Sequence, residues 1–194
     1  MVFQQKATAK HFGAGDKMLT IMPVFHGFGL CSSVHMPLSY GITTILIPKF
    51  DSKEFYKLMS KYKPNHVFGV PKLWKALMND KKIQGMDLSF MKYIVSGGEN
   101  MKDGLEEEIN KFFEQHNCYY KLKKGYGSTE AVAGTTLSDD NCNEIGSIGI
   151  PLICNDFKIV KPETEEELDY YQEGEICISG PTIMKGYLNN EEET

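Results

Sequence analysis

Short apolar runs rich in β-branched residues recur along the first two-thirds of the chain, and stretches with helical spacing separate them. Met18-Leu19-Thr20-Ile21-Met22, ended by Pro23, predicts a buried strand. Ile42-Thr43-Thr44-Ile45-Leu46-Ile47, ended by Pro48, predicts a second. His66-Val67-Phe68-Gly69-Val70 before Pro71, Tyr93-Ile94-Val95, and a short stretch from Cys118 to Leu122 predict three more. Residues 30–40 have an apolar helical face that Gly41 stops. Residues 53–62 put Phe55, Leu58 and Met59 on one face, behind a cap at Asp51 or Ser52 and before Pro64. Residues 72–79 carry Leu73, Trp74, Leu77 and Met78, and residues 103–116 an acidic amphipathic helix with Leu105, Ile109, Phe112 and Phe113 inward. Residues 1–16 are polar and read as the tail of a helix running into a turn at Gly13-Ala14-Gly15-Asp16.

Strands alternating with helices across short connections predict an α/β fold, a doubly wound and mostly parallel sheet of the flavodoxin or Rossmann kind. Ligands of such sheets sit at the carboxyl ends of the strands. After residue 135 the texture changes. Phe157-Lys158-Ile159-Val160 and Gly174-Glu175-Ile176-Cys177-Ile178-Ser179-Gly180-Pro181 alternate, an acidic turn lies between them, and no helical pattern appears until Asn189. The chain is therefore read as an α/β subdomain over 1–135 and a small β-barrel-like subdomain over 136–194.

Composition narrows the function. With 21 basic against 26 acidic residues the net charge is −5, which disfavours a nucleic-acid surface. Every basic residue is lysine, so a phosphate must be held by lysine, backbone amides or metal. No apolar run has the roughly 18 residues that span a membrane, and the N-terminus lacks a signal pattern. The five cysteines (Cys31, Cys118, Cys142, Cys154, Cys177) are scattered and form no C-x-x-C pair. They suggest neither a disulfide framework nor a zinc site, and a reducing, cytoplasmic setting is expected.

The densest chemistry lies in Gly125-Tyr126-Gly127-Ser128-Thr129-Glu130. Two glycines permit a sharp turn and close approach of a ligand, the tyrosine offers a ring for stacking, and a hydroxyl and a carboxylate suit phosphate oxygens and Mg2+. Read alone, the stretch fits equally a glycine turn into a helix capped by Ser128 or Thr129. Ser96-Gly97-Gly98-Glu99 also follows a predicted strand, so both loops belong to the ligand edge.

The order of motifs then carries a resemblance. Pro23-Val24-Phe25-His26-Gly27, Ser96-Gly97-Gly98, Tyr126-Gly127-Ser128-Thr129-Glu130, Gly146-Ser147-Ile148-Gly149-Ile150-Pro151, Gly174 to Pro181, and Met184-Lys185-Gly186-Tyr187-Leu188 follow one another over nearly the whole chain. This order resembles the adenylate-forming superfamily, 4-coumarate and fatty acyl-CoA ligases in particular. The resemblance implies an ATP-dependent ligase that adenylates a fatty or aromatic carboxylic acid and passes the acyl group to coenzyme A, with Mg2+. Tyr126 is then expected to stack on adenine, with Gly97, Gly98 and Glu99 lining its other side and Gly125, Gly127 and Ser128 completing the nucleotide loop. Thr129 is expected to bond the α-phosphate, Glu130 to hold Mg2+, and His26 to sit beside the acyl carboxylate. The acyl pocket is expected among Phe28, Val70, Trp74, Gly97, Gly125 and Val132, apolar positions that fit a pocket wall and a core equally.

The family's Ser/Thr/Gly-rich phosphate loop and the C-terminal domain with its catalytic lysine are not in this sequence. The chain is thus expected to be an internal piece of the large N-terminal domain, inactive as a ligase by itself. Other readings are an adenylation domain loading a carrier protein, a non-catalytic nucleotide-binding module, and, for residues 17–135, a flavodoxin-like FMN-binding protein.

Overall fold

Strands form where β-branched and aromatic residues alternate between two buried surfaces. The structure, a computed structural model, describes residues 11–102 and 104–194. β1 (Lys17–Thr20), β2 (Thr43–Leu46), β3 (His66–Gly69), β4 (Tyr93–Ser96) and β5 (Lys123–Lys124) make one sheet in the order β2-β1-β3-β4-β5. Every neighbouring pair in it is parallel. The chain therefore steps outward from β1 in both directions. The crevice at the carboxyl ends of β1 and β3 is the switch point where such sheets take their ligands.

Successive residues of a strand face opposite ways. Leu19, Val67 and Ile94 enter one core with α2 (Phe55–Tyr62), α3 (Pro71–Asn79) and α4 (Leu105–Gln115), through Phe55, Met59, Leu73, Trp74, Leu77, Ile109, Phe112 and Phe113. Met18, Phe68, Tyr93 and Val95 enter a second, smaller core with Met36 and Ile42. Both faces are covered, but unequally. Three helices pack on the first. The second takes a π-helical stretch, Phe28–His35, running into α1 (Met36–Ser39). The helical pattern of residues 30–40 is thus met by a wider winding, with Gly29 against the Pro23 carbonyl, where a Cβ would lie 2.1 Å from the oxygen.

Local chemistry sets the helix ends. The Asp51 carboxylate accepts from the Lys53 amide at 2.9 Å and starts a 3-10 turn ahead of α2. Lys63, in the left-handed region, closes α2 before Pro64. Pro71 opens α3 at a position where its missing N–H costs nothing. The first turn of α4 carries Glu106, Glu107 and Glu108, favourable at a helix N-terminus.

Two expectations change, and a third falls outside the described residues. The fifth strand forms at Lys123–Lys124 rather than over 118–122, because Cys118 and Leu122 are buried under α4 while Tyr119 is exposed. The barrel-like unit is not observed: among the described residues beyond 135 there are two separate antiparallel ladders, β6 (Thr136–Leu137) with β7 (Ile150–Pro151) and β8 (Asp156–Val160) with β9 (Glu175–Ser179). The helix expected ahead of Gly13 falls on residues 1–10, outside the described residues. No helix among the described residues is long and apolar enough to cross a membrane.

A buried polar cluster ties the amino ends of the strands together. The Asp16 carboxylate accepts from His66 Nε2 at 2.9 Å, from Lys92 Nζ at 2.7 Å and from the Gly13 amide at 2.9 Å. The His66 side chain is fully buried, and its Nδ1 has no hydrogen-bond partner. Burial depresses the imidazole from 6.5 to about 4, against the opposing pull of Asp16. Burial also opposes ionisation of Asp16, but Lys92, the Gly13 amide and His66 outweigh it and hold the carboxylate below its usual range.

The folded state holds His66 neutral where the unfolded chain takes up a proton. The protein should therefore keep its full stability above pH 6.5 and lose it as the pH falls toward 4. The loss is about 3 kcal/mol from this group, and more follows at lower pH as Asp16 is protonated. Denaturant melts across this range should show the slope, and His66→Gln should flatten it above pH 4.

Candidate functional site

The loops after β4 and β5 continue the parallel ladder past the ends of the strands. The Gly97 amide donates to the Gly69 carbonyl at 3.1 Å, and the Gly125 amide to the Ser96 carbonyl at 3.2 Å. Side chains are excluded where these backbones meet. A Cβ on Gly97 would lie 3.0 Å from the Gly125 carbonyl, and one on Gly125 would lie 2.8 Å from that of Thr136. Tyr126 is gripped through its backbone. Its amide donates to Thr136 Oγ1 at 2.9 Å, and its carbonyl accepts from the amides of Thr135 at 2.8 Å and Thr136 at 3.1 Å.

An antiparallel bridge between Gly127 and Gly134 pinches off residues 128–133 as a loop. No helix follows, so Ser128 and Thr129 cap none; Ser128 Oγ instead accepts from the Ala131 amide at 3.3 Å. At the loop tip Val132 has φ 73°, and the Ala133 amide bonds the Ala131 carbonyl across it at 2.9 Å. This is a γ-turn of the rare positive-φ kind, strained for a β-branched residue. The turn rests on the histidine loop: a Cβ on Gly27 would lie 1.9 Å from the Val132 carbonyl oxygen.

Two cavities meet at these loops. One, of about 260 Å3, runs down the second face of the sheet and is lined by His26, Phe28, Ser32, Met36, Phe68, Val95, Val132 and Leu137. The other, of about 390 Å3, lies between Glu99–Lys102, the start of α4 and residues 145–148. They share Ser96, Gly97, Gly98, Gly125, Tyr126 and Gly127 as a common wall.

Most of the candidate residues are brought together here. His26, Phe28, Gly97, Gly98, Gly125, Tyr126, Gly127, Ser128, Thr129 and Val132 line the first cavity, and Glu99 lines the second. Two acyl-pocket candidates lie elsewhere. Trp74 is fully buried in the larger core, because α3 turns that face toward the sheet. Val70 lines a separate groove beside Ile21, Phe25 and Leu46, although its side chain also reaches the back of Gly98. The walls at Met36, Phe68 and Val95 were missed. Period-two alternation on β3 and β4 carries their signal, since Phe68 and Val95 oppose the helix-facing Val67 and Ile94.

The polar groups are oriented by specific bonds. His26 Nδ1 accepts from the Phe28 amide at 3.1 Å, which leaves Nε2 to carry the hydrogen of the neutral ring. The Glu130 side chain accepts from the Tyr187 hydroxyl through Oε1, and this bond holds its carboxyl below the usual range. The Glu130 carbonyl accepts from the Met184 amide at 2.7 Å. Beneath the second cavity Lys124 Nζ meets the Glu106 carboxylate at 2.6 Å, both side chains being over nine-tenths buried. Lys124 Nζ also donates to the Glu144 carbonyl at 2.5 Å, and Glu106 accepts from the Gly146 amide at 3.3 Å. This pair fastens the wall that carries Tyr126 to residues 144–146.

No group of three or more His, Cys, Asp or Glu side chains among the described residues could form a metal cage. Glu130 itself lines neither cavity but follows Ser128 and Thr129, which line the first, and a carboxylate beside two hydroxyls fits a different kind of site. Mg2+ is usually bound through one or two carboxylates together with substrate phosphates and water.

The strained turn at Val132 generates a prediction. Val132→Gly should relieve the positive φ and raise thermal stability by about 1 kcal/mol after its own chain-entropy cost. Gly27→Ala should lower stability, since its Cβ has no room against Val132. Thermal melts of the two variants should therefore move in opposite directions.

The chain matches the family model described as "AMP-binding enzyme" over residues 1–188. It is 37% identical over 180 residues to a long-chain-fatty-acid–CoA ligase of Bacillus subtilis (strain 168), covering 92% of this chain and 31% of that protein. It is 35% identical over 184 residues to 4-coumarate–CoA ligase 1 of Petroselinum crispum, covering 92% and 33%. Among solved structures, a long-chain-fatty-acid-CoA ligase (FadD1) from Archaeoglobus fulgidus superposes with a TM-score of 0.82 at 25% identity, over 99% of this chain and 39% of that one. The chain thus spans about a third of the length of the curated relatives it matches. With nearly all of its residues under one family model, and a glycine-walled double cavity at the carboxyl edge of a parallel sheet, the chain belongs to the AMP-binding enzyme family.

Proposed function

We propose that this chain forms the acyl and nucleotide half-sites of an ATP-dependent acid–thiol ligase, with residues 1–135 and 136–194 as its α/β and β-rich parts. The observation that carries the reading is the pair of cavities sharing one wall. A ligase of this kind must hold a carboxylic acid and a nucleotide apart and join them at one point.

In the first step a carboxylate oxygen attacks the α-phosphorus of ATP. The bond to the β-phosphate breaks and pyrophosphate leaves, giving an acyl adenylate. In the second, the thiol of coenzyme A gives up its proton to solvent, its sulfur attacks the acyl carbonyl, the bond to the phosphate oxygen breaks, and AMP leaves. Both steps rest on positioning and charge neutralisation rather than covalent help from the protein.

The acyl chain lies in the cavity walled by Phe28, Met36, Phe68 and Val95. Adenine lies in the other cavity, against Tyr126, with Gly97, Gly98 and Glu99 opposite. At the shared wall the α-phosphate meets Thr129, and Glu130 faces the phosphates. His26 presents Nε2–H at the acyl carboxylate, its ring held by the Phe28 amide. Glu130, helped by the phosphates, would hold Mg2+, which neutralises charge on the leaving pyrophosphate. The fatty-acid and 4-coumarate ligases among the relatives support a carboxylic acid substrate and coenzyme A as acceptor.

Titration calorimetry with a non-hydrolysable acyl-adenylate analogue tests the half-sites. Binding is expected, and Tyr126→Ala should weaken it by about tenfold or more, as loss of one aromatic–base stack does. Equal binding by the variant would remove adenine from Tyr126. In the complete protein, Glu130→Ala should cut pyrophosphate release by about a hundredfold or more and leave the melting temperature unchanged; wild-type turnover would remove Glu130 from the phosphate site.

A further inference from the structure

Glu130 is held at two points by one distant segment. The Met184 amide donates to its main-chain carbonyl at 2.7 Å, and the Tyr187 hydroxyl donates to its side-chain Oε1. That segment follows β9, more than fifty residues along the chain, and has its own closure. The Tyr187 amide donates to Thr194 Oγ1 at 3.0 Å, Thr194 Oγ1 donates to the Asn190 carbonyl at 2.8 Å, and Tyr187 and Asn190 form an antiparallel bridge. Gly186 lies where a Cβ would come 2.6 Å from the Thr194 side chain, so the turn before Tyr187 packs directly on its own end. Tyr187 is therefore a fixed donor aimed at one carboxylate oxygen.

We propose that Tyr187 is a positioning residue for the metal–phosphate site, orienting the carboxylate of Glu130 toward the divalent cation of the nucleotide. The inference rests on the reading of Glu130 as the cation's protein ligand. A carboxylate on an exposed loop can rotate about three bonds. Capturing Oε1, beside the weaker hydrogen bonds from Ser128 and the Glu130 amide, removes that freedom and leaves the remaining lone pairs for the cation. Groups that hydrogen-bond metal-binding carboxylates typically contribute 10–100-fold to metal affinity without touching the metal. Tyr187 also gives the β8–β9 ladder a task at the site, since the ladder leads the chain back from the far unit to Glu130.

The test uses the complete protein and Mn2+ as a paramagnetic probe. ATP affinity is measured by calorimetry in EDTA and again with Mn2+, and bound Mn2+ is counted by electron paramagnetic resonance. The ratio of the two ATP affinities reads the metal's share of binding, which a merely structural role would not move. Tyr187→Phe, which keeps the ring and removes only the hydroxyl, should leave ATP binding in EDTA unchanged and reduce the Mn2+-dependent gain about tenfold. Glu130→Gln should abolish that gain. A wild-type gain in Tyr187→Phe, with the gain lost in Glu130→Gln, would overturn the role of Tyr187 and leave the reading of Glu130 standing. A larger gain in Tyr187→Phe would make the hydroxyl a competitor of the cation and would also overturn the proposal. A full gain in Glu130→Gln would remove Glu130 as ligand, and the role of Tyr187 with it.

Discussion

Backbone lying directly on backbone is the constraint on which the site depends. At the carboxyl edge of the sheet, loops from β4 and β5 and the histidine loop pass closer than any side chain allows. A methyl group at Gly127 would stand 1.8 Å from the Ala133 carbonyl, and one at Gly27 would stand 1.9 Å from that of Val132. These contacts bring His26, Tyr126 and Thr129 to the wall of one cavity, although the histidine loop and the loop after β5 are separate connections of the sheet. They also leave main-chain amides and carbonyls at the surface of both cavities. The chain has no arginine, so no guanidinium stands among them.

The two ends of the sheet handle charge in opposite ways. At the amino ends Asp16 and His66 are buried together under a half-exposed Lys92, and their pairing acts on stability. At the carboxyl ends the charges are either locked, as in Glu106–Lys124, or presented, as in Glu130. A buried ion pair gains little net stability over an apolar pair of the same shape. Its value here is directional, because Lys124 immediately precedes Gly125 and its bonds to Glu106 and the Glu144 carbonyl fix where the loop after β5 begins.

Much of this was legible in the sequence, because local chemistry decided it. Proline and glycine bounded the runs that became β1 to β4, and apolar spacing marked α2, α3 and α4. Motif order marked both glycine loops. What was not legible depends on partners far apart in the chain. Trp74 has the same local signature as a pocket wall and a core residue, and only the packing of α3 against Phe55 and Phe113 assigns it to the core. Glu106 sits in an acidic helix turn that reads as solvated, and only Lys124, 18 residues on, makes it buried. Tyr187 meets Glu130 across 57 residues, a distance at which no periodicity speaks. β5 moved because burial under α4, rather than propensity, chose where the ladder resumed.

The common wall between the two cavities also governs how sequences of this kind can diverge. Met36, Phe68 and Leu137 line one cavity only, whereas Gly97, Gly98, Gly125, Tyr126 and Gly127 line both. A substitution in the first set reshapes one cavity and leaves the other as it was. A substitution in the second disturbs both at once, and at Gly97, Gly125 and Gly127 an added Cβ would press on backbone. Selection can therefore reshape the first cavity through a few apolar positions while the glycine wall that it shares with the second stays as it is.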